Sequence, residues 1–165
     1  MRDALRRTTM GLVALGMGAG LGLGPTPAAA KPKPAPPEQH CVLVVVGQAA
    51  DGELQTGDPH CEGTRSQALA QARTAAPLAT FPIGVHYDLP GLQGSSFTVV
   101  GSSCIGGWLN LNVSWTNRVG STWNGCPLIV HFNGYNLTSN SQTTYFPGGS
   151  LTTLNNRTNS IQYLG

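Results

Sequence analysis

The sequence predicts a mainly β protein, an all-β sandwich or barrel preceded by a small strand-helix unit. Two observations carry this. From about Phe81 onward the chain turns to Gly, Ser, Thr, Asn and aromatics, in short apolar alternations such as "SFTVV", "LNLNV", "LIVHF" and "IQYLG". Turn signals separate them every eight to twelve residues and no helical period appears, a pattern of short strands without crossover helices. The same region is also written twice. "VHYDLPGLQGSS" (Val85 to Ser96) aligns with "VHFNGYNLTSNS" (Val130 to Ser141), and "TNRVGS" (Thr116 to Ser121) with "NNRTNS" (Asn155 to Ser160). A duplicated β unit implies two halves that bury their apolar faces against each other.

The first thirty residues carry a different signal. "MRDALRR" is a basic start, "MGLVALGMGAGLGLG" an apolar run, and "TPAAA" a small-residue stretch suited to cleavage after Ala30, so 1–30 reads as a secretory signal and the protein as secreted, with no membrane attachment after cleavage. Residues 31–40, with "KPKPAPP", read as an extended spacer. "CVLVVV" then fits a buried strand and "TRSQALAQARTAA" an Ala-rich helix, giving a small unit at 41–77 that cannot hold much of a core by itself.

Without the signal the chain has six Lys or Arg against six Asp or Glu and is neutral. Scattered cations on a neutral surface cannot neutralise a run of phosphates, which excludes nucleic acid as a partner. Four cysteines in an exported chain point to disulfides, and their spacing matches no zinc pattern. Of three connectivities, Cys41 with Cys61 and Cys104 with Cys126 is the expected one, each pair lying inside one sequence region.

In the duplicated region the first copy gives Tyr87, Leu92 and Gly94 followed by the loop "TNRVGS"; the second gives Phe132, Leu137 and Ser139 followed by "NNRTNS". This order resembles the βγ-crystallin family, whose Greek keys each carry a folded hairpin with an aromatic and a glycine, then a loop of two Asn or Asp, two variable residues, Ser or Thr, and Ser. The resemblance covers residues 81–165, with keys at about 81–126 and 127–165, and implies a βγ-crystallin-like sandwich of two Greek keys. Gly94 and the Asn residues of both loops suit backbone positions of positive φ. Among secreted bacterial proteins of this fold, some resemble small actinobacterial metalloprotease inhibitors.

The resemblance also implies calcium, held between keys by loop and hairpin oxygens. One site would draw on Asp88, Asn155, the Arg157 carbonyl and Asn159. The other, degenerate, would draw on Asn133, Thr116, the Arg118 carbonyl and Gly120, which lacks a side-chain oxygen. Calcium takes six to eight oxygens and its affinity follows carboxylate charge. Asp88 is the only carboxylate between Phe81 and Gly165, so both sites are expected to be weak.

That scarcity of carboxylates removes paired-acid chemistry from the β region, and no nucleophile elbow accompanies its serines, so no catalytic residues are assigned and the protein reads as a non-enzyme. His86 and His131 occupy equivalent positions and read as residues packing twice in the same role, with a shared metal as the alternative. Arg118 and Arg157, the only cations of the region, read as donors to backbone carbonyls. Trp108, Trp115 and Trp123 read as core, with a carbohydrate platform as the alternative. The expected function is binding or structural. The alternatives are inhibition of an extracellular protease, with the insertion from Cys104 to Trp108 as the presented loop, and binding to a cell-wall component or other carbohydrate.

Overall fold

The computed structural model describes residues 36–75, 81–104 and 106–165. The expected signal segment at 1–30, the spacer as far as residue 35, the end of the strand-helix unit after residue 75, and Ile105 lie outside the described residues. The elements, in chain order, are β1 (His40–Gln48), β2 (Leu54–Thr56), β3 (His60–Glu62), α1 (Arg65–Ala75), β4 (Phe81–Leu89), β5 (Gln93–Gly101), β6 (Gly107–Asn110), β7 (Ser121–Asn124), β8 (Leu128–Phe132), β9 (Ser141–Tyr145), β10 (Gly148–Ser150) and β11 (Ser160–Leu164). The fold is mainly β, as its composition predicts.

Two sheets face each other. The seven-stranded sheet runs β10-β7-β4-β5-β1-β2, with β3 also on β1; the four-stranded sheet runs β6-β11-β8-β9. The order exposes the duplication. In the first key β4 and β5 form a hairpin, β6 leaves for the other sheet, and β7 returns to pair with β4. In the second, β8 and β9 form the hairpin, β10 leaves, and β11 returns to β8. Each key thus places its third strand against the fourth strand of the other, β6 on β11 and β10 on β7.

The core lies between the sheets. Ile83, Phe97, Val99, Leu109, Ile129, Ile161 and Tyr163 project into it from the strands, joined by Leu111, Trp115, Val119 and Leu151 from the loops. Trp108 and Trp115 are both buried, so neither forms an exposed sugar platform.

The strand at "CVLVVV" is covered on both faces from Cys41 to Val45, and only Val46 at its end is exposed. β1 runs parallel to β5, with His40 to Val44 opposite Ser96 to Val100. Cys41, Leu43 and Val45 face the main core, whereas Val42 and Val44 meet Val100 and the Ala68 and Ala72 face of α1. The helix opens on a Thr-x-x-Gln cap, in which Gln67 N–H donates to Thr64 Oγ1 and Thr64 Oγ1 donates to Gln67 Oε1 at 2.7 Å. Both disulfides pair neighbours, Cys41 with Cys61 directly across β1 and β3, and Cys104 with Cys126.

At the centre the two aligned histidines meet, their ring centroids 5.5 Å apart. Both are fully buried. Thr122 Oγ1 donates to the Val85 carbonyl, so it accepts from His86 Nδ1, and His86 Nε2 then accepts from the Tyr163 hydroxyl at 2.9 Å. This chain needs a neutral imidazole. Neither nitrogen of His131 has a hydrogen-bond partner. Burial holds the pKa of His131 down at about 3, and burial followed by the neighbouring His131 lowers that of His86 well below the usual imidazole range. Among the described residues no His, Cys, Asp or Glu completes a cluster of three or more that could hold a metal.

These depressions have a definite sign. The unfolded chain binds protons below pH about 6.5 and the folded chain resists them, so stability is fully present above that pH and falls between about 6.5 and 3. At about 1.4 kcal/mol per pKa unit, His131 alone accounts for a loss on the order of 4 kcal/mol across that window. Thermal unfolding followed by circular dichroism from pH 7.5 to 4 should show a falling midpoint. His131→Leu, which exchanges an unpartnered imidazole for an apolar side chain of similar volume, should flatten that fall; an acid slope identical to wild type would rule the histidine out as its cause.

Candidate functional site

The two polar loops are locked to each other and to the hairpins by a set of hydrogen bonds that repeats about a pseudo-twofold axis. The sixth loop residue closes the hairpin of its own key. Ser121 Oγ donates to the Leu89 carbonyl at 2.6 Å and accepts from Leu92 N–H at 2.9 Å; Ser160 Oγ donates to the Gly134 carbonyl at 2.7 Å and accepts from Leu137 N–H at 3.1 Å. The second loop residue reaches across the keys. Asn117 N–H donates to the Thr158 carbonyl and Asn156 N–H to the Val119 carbonyl, each at 2.9 Å. Leu111 N–H with the Asn159 carbonyl and Leu151 N–H with the Gly120 carbonyl form a second reciprocal pair, again at 2.9 Å.

The repeated sequence is what these geometries require. Asn117 and Asn156 have φ of 57° and 55°, in the left-handed region that Asn tolerates best among residues with a side chain. In the hairpins Leu92 and Leu137 have φ of 62° and 57°. The glycine position holds up where the second copy departs from it, since Gly94 has φ of 79° and Ser139 of 68°. In the first hairpin the absence of a side chain is also a packing requirement, because a Cβ on Gly94 would collide with Asp88 Oδ1.

The first loop position reaches the other key, Thr116 toward Tyr135 and Asn155 toward Gly120, but the fifth stays with its own. Ser121 pairs with Tyr87 and Ser160 with Phe132 in the returning strands, which sets residues 120 and 159 beside the hairpin of the same key. Gly120 N–H donates to the Tyr87 carbonyl at 2.7 Å and Asn159 N–H to the Phe132 carbonyl at 2.8 Å. The grouping of fifth positions expected from the sequence is therefore exchanged. Asn159 lies against Asn133, its Nδ2 donating to the Asn133 carbonyl, and Gly120 lies against Asp88 and Asn155. Thr116 Oγ1 donates to the Asn112 carbonyl at 2.8 Å and lies 3.3 Å from the Tyr135 hydroxyl. Arg157 is exposed, its N–H donating to the Leu154 carbonyl at 3.0 Å.

Around Gly120 two oxygens converge. A Cβ placed there would lie 2.8 Å from the Asp88 carbonyl oxygen and 3.2 Å from Asn155 Oδ1. The Asp88 carboxylate points elsewhere. Its Oδ1 is buried over Gly94 without a hydrogen-bond partner, and its Oδ2 pairs at 2.9 Å with Arg118, whose guanidinium also lies 4.8 Å from the Trp115 ring centroid. Arg118 is expected to bond a backbone carbonyl, and it does reach that of Ser114 at 3.4 Å; its shorter bond is to the Asp88 carboxylate.

Other features of the site are less open than expected. The insertion is not a projecting loop at its Trp108 end, because Trp108 is buried in β6 and its Nε1 donates to the Asp51 carbonyl at 3.2 Å. Clefts of about 120 and 190 Å³ flank Trp115, both smaller than the roughly 300 Å³ at which pockets for drug-sized ligands begin.

The packing at Gly120 makes a prediction. The backbone of Asp88 and Leu89 lies under 3.0 Å from any added Cβ, so Gly120→Ala must displace the first hairpin and should destabilise the fold by about 1–3 kcal/mol in chemical denaturation. A neutral effect would mean that the hairpin yields freely.

No protein-family model and no curated protein matches the chain. Solved structures do. The N-terminal domain of Protein S aligns at 13% identity with a TM-score of 0.41, covering 50% of this chain and 94% of that one. A βγ-crystallin domain of the Abundant Perithecial Protein from Neurospora crassa, in its Ca²⁺-bound form, aligns at 16% identity and a TM-score of 0.41, covering 52% and 91%. One from Flavobacterium johnsoniae aligns at 18% and 0.39, covering 50% and 94%.

Proposed function

We propose that the chain is a secreted, non-catalytic βγ-crystallin-like binding or structural protein whose interlocked loops form one weak calcium site, built from the Asp88 and Arg157 carbonyls and the side chain of Asn155 in front of Gly120. The convergence of the Asp88 carbonyl and Asn155 Oδ1 on Gly120 carries this reading. Two disulfides suit an oxidising extracellular setting, and among the described residues no helix is long and apolar enough to cross a membrane.

The donor set fits a cation in part. Calcium bound there would bridge the loop of the second key to the hairpin of the first, adding a cross-link to one that backbone bonds already make. Gly120 contributes no side-chain oxygen, and the one carboxylate is turned away and neutralised. Arg118 acts as a built-in cation beside Asp88: it satisfies Oδ2, covers Trp115 and ties the loop of the first key to its hairpin without an ion. Calcium must therefore bind through neutral oxygens or draw Asp88 away from Arg118, which limits affinity. At the other site Asn159 Nδ2 already bonds the Asn133 carbonyl, and the proposed role there is structural.

Calorimetric titration should give a dissociation constant no tighter than about 10⁻⁴ M. Arg118→Gln, which releases the carboxylate, should tighten binding, and Asp88→Asn in that background should reverse the gain. Micromolar binding by wild type, or an Arg118→Gln protein with unchanged affinity, would defeat the assignment.

A second reading, inhibition of an extracellular protease, has one specific observation in its favour, and it lies away from the insertion. The end of β9 and the turn after it hold Tyr145 and Phe146 at 69% and 64% exposure, on a backbone fixed by Phe146 N–H to the Pro127 carbonyl at 2.9 Å and Asn124 N–H to the Pro147 carbonyl at 3.1 Å. Stoichiometric inhibition in a panel of metalloproteases and serine proteases, lost in Phe146→Ala, is the outcome this reading requires.

A further inference from the structure

The pseudo-twofold that relates the keys leaves one edge of the molecule different from its counterpart. In the first key the outer edge of the hairpin strand β5, Ser96 to Val100, is covered by β1. Among the described residues the equivalent edge in the second key, Ser141 to Tyr145 of β9, is paired only on its β8 side. The remaining edges among the described residues are short or covered. β2, β3 and β10 are three residues each, and on β6 Trp108 N–H already donates to the Gly52 carbonyl at 3.1 Å. Short or covered edges are the usual defences against strand-to-strand association, as are charges and prolines within the edge strand. β9 has none of these: it reads Ser-Gln-Thr-Thr-Tyr.

The direction of its free groups follows from the bonds it makes. Phe146 N–H donates to the Pro127 carbonyl and Asn133 N–H to the Asn140 carbonyl, which fixes the alternation along the β8–β9 pair. Ile129 with Thr144 and His131 with Gln142 are then the bonded pairs, and the N–H and C=O groups of Ser141, Thr143 and Tyr145 point away from β8. Three residues thus present donors and acceptors in the row that an incoming strand needs.

We propose that this edge binds a second copy of the chain, two β9 strands pairing antiparallel about a twofold axis at Thr143. Each Thr143 then exchanges both of its backbone hydrogen bonds with its counterpart, and Ser141 stands opposite the partner's Tyr145. A closed twofold contact pairs an edge with itself, so its residues must tolerate their own images. A charged edge would bring like charges together at the axis, whereas β9 is neutral throughout and self-pairing carries no such penalty. Tyr145, at 69% exposure, gains a cross-strand neighbour in the joint, which extends the four-stranded sheet to eight.

The test is sedimentation equilibrium of the purified protein over a wide concentration range, run in chelator so that the result is independent of the calcium site. Wild type should dimerise. Thr143→Pro removes an N–H that β8 does not use, a position where an edge strand accepts proline. Thr143→Lys places two like charges at the axis. Both should weaken the dimer by at least about tenfold while leaving the circular dichroism spectrum and thermal midpoint close to wild type. If Thr143→Pro fails to fold, Thr143→Lys decides alone. A wild-type protein that stays monomeric throughout, or a dimer that the folded variants leave unchanged, would overturn the proposal.

Discussion

Neither key can be completed from its own residues. The third strand of each lies in the sheet of the other, so a key alone would lack a strand, expose the returning β7 or β11, and leave its half of the core in water. Everything at the top of the molecule follows from holding that exchange in register. The serines of the two loops close the hairpins, and the asparagines before them turn the chain through left-handed conformations so that the loops can exchange backbone bonds. Buried donors and acceptors left without partners would destabilise the joint more than their bonds stabilise it, which is why the repeated motif is polar in an otherwise apolar setting.

The arrangement also separates what the loop motif must do from what it can do. Hairpin closure uses the sixth position and cross-key locking the second, and both are intact in each copy. Cation binding would use the first, third and fifth; the third is Arg in both copies, Arg118 and Arg157, but Gly120 and Asn159 differ in kind, and so do Thr116 and Asn155. With an arginine in place beside the single carboxylate, the first key has acquired a covalently attached positive charge at its hairpin. That charge ties the loop of the first key to its hairpin through Asp88.

Much of this was legible in the sequence because it rests on local chemistry. Short alternating runs marked the strands, Ala-rich composition marked α1, and the duplicated Asn and Ser positions marked the loops. Neighbouring cysteines marked the disulfides. What was not legible depends on register and on distant partners. The fifth loop positions were assigned to the wrong hairpins because the pairing of Ser121 with Tyr87 and Ser160 with Phe132, which fixes them, leaves no trace in spacing. Trp108 reads as core and is buried, but that the segment at Asp51 to Leu54 closes over the insertion it ends was not readable, and neither was the partner of Arg118, because 30 residues separate it from Asp88. The apolar run at β1 announced burial on both faces, yet nothing in it specified a parallel neighbour.

That parallel neighbour has a consequence for how the chain is made. β1 precedes β5 by 56 residues in every paired position, so their ladder cannot form until the whole intervening stretch has been synthesised and its ends brought together. Local elements, α1 and the strand β3 bearing Cys61, need no such wait. The closing of β1 onto β5 is thus a late, entropically expensive event in which the first-made apolar strand must remain available to the last-made half of its sheet. That ordering sets the interval during which "CVLVVV" is without its mate, and during which any factor that escorts the polypeptide has something to hold.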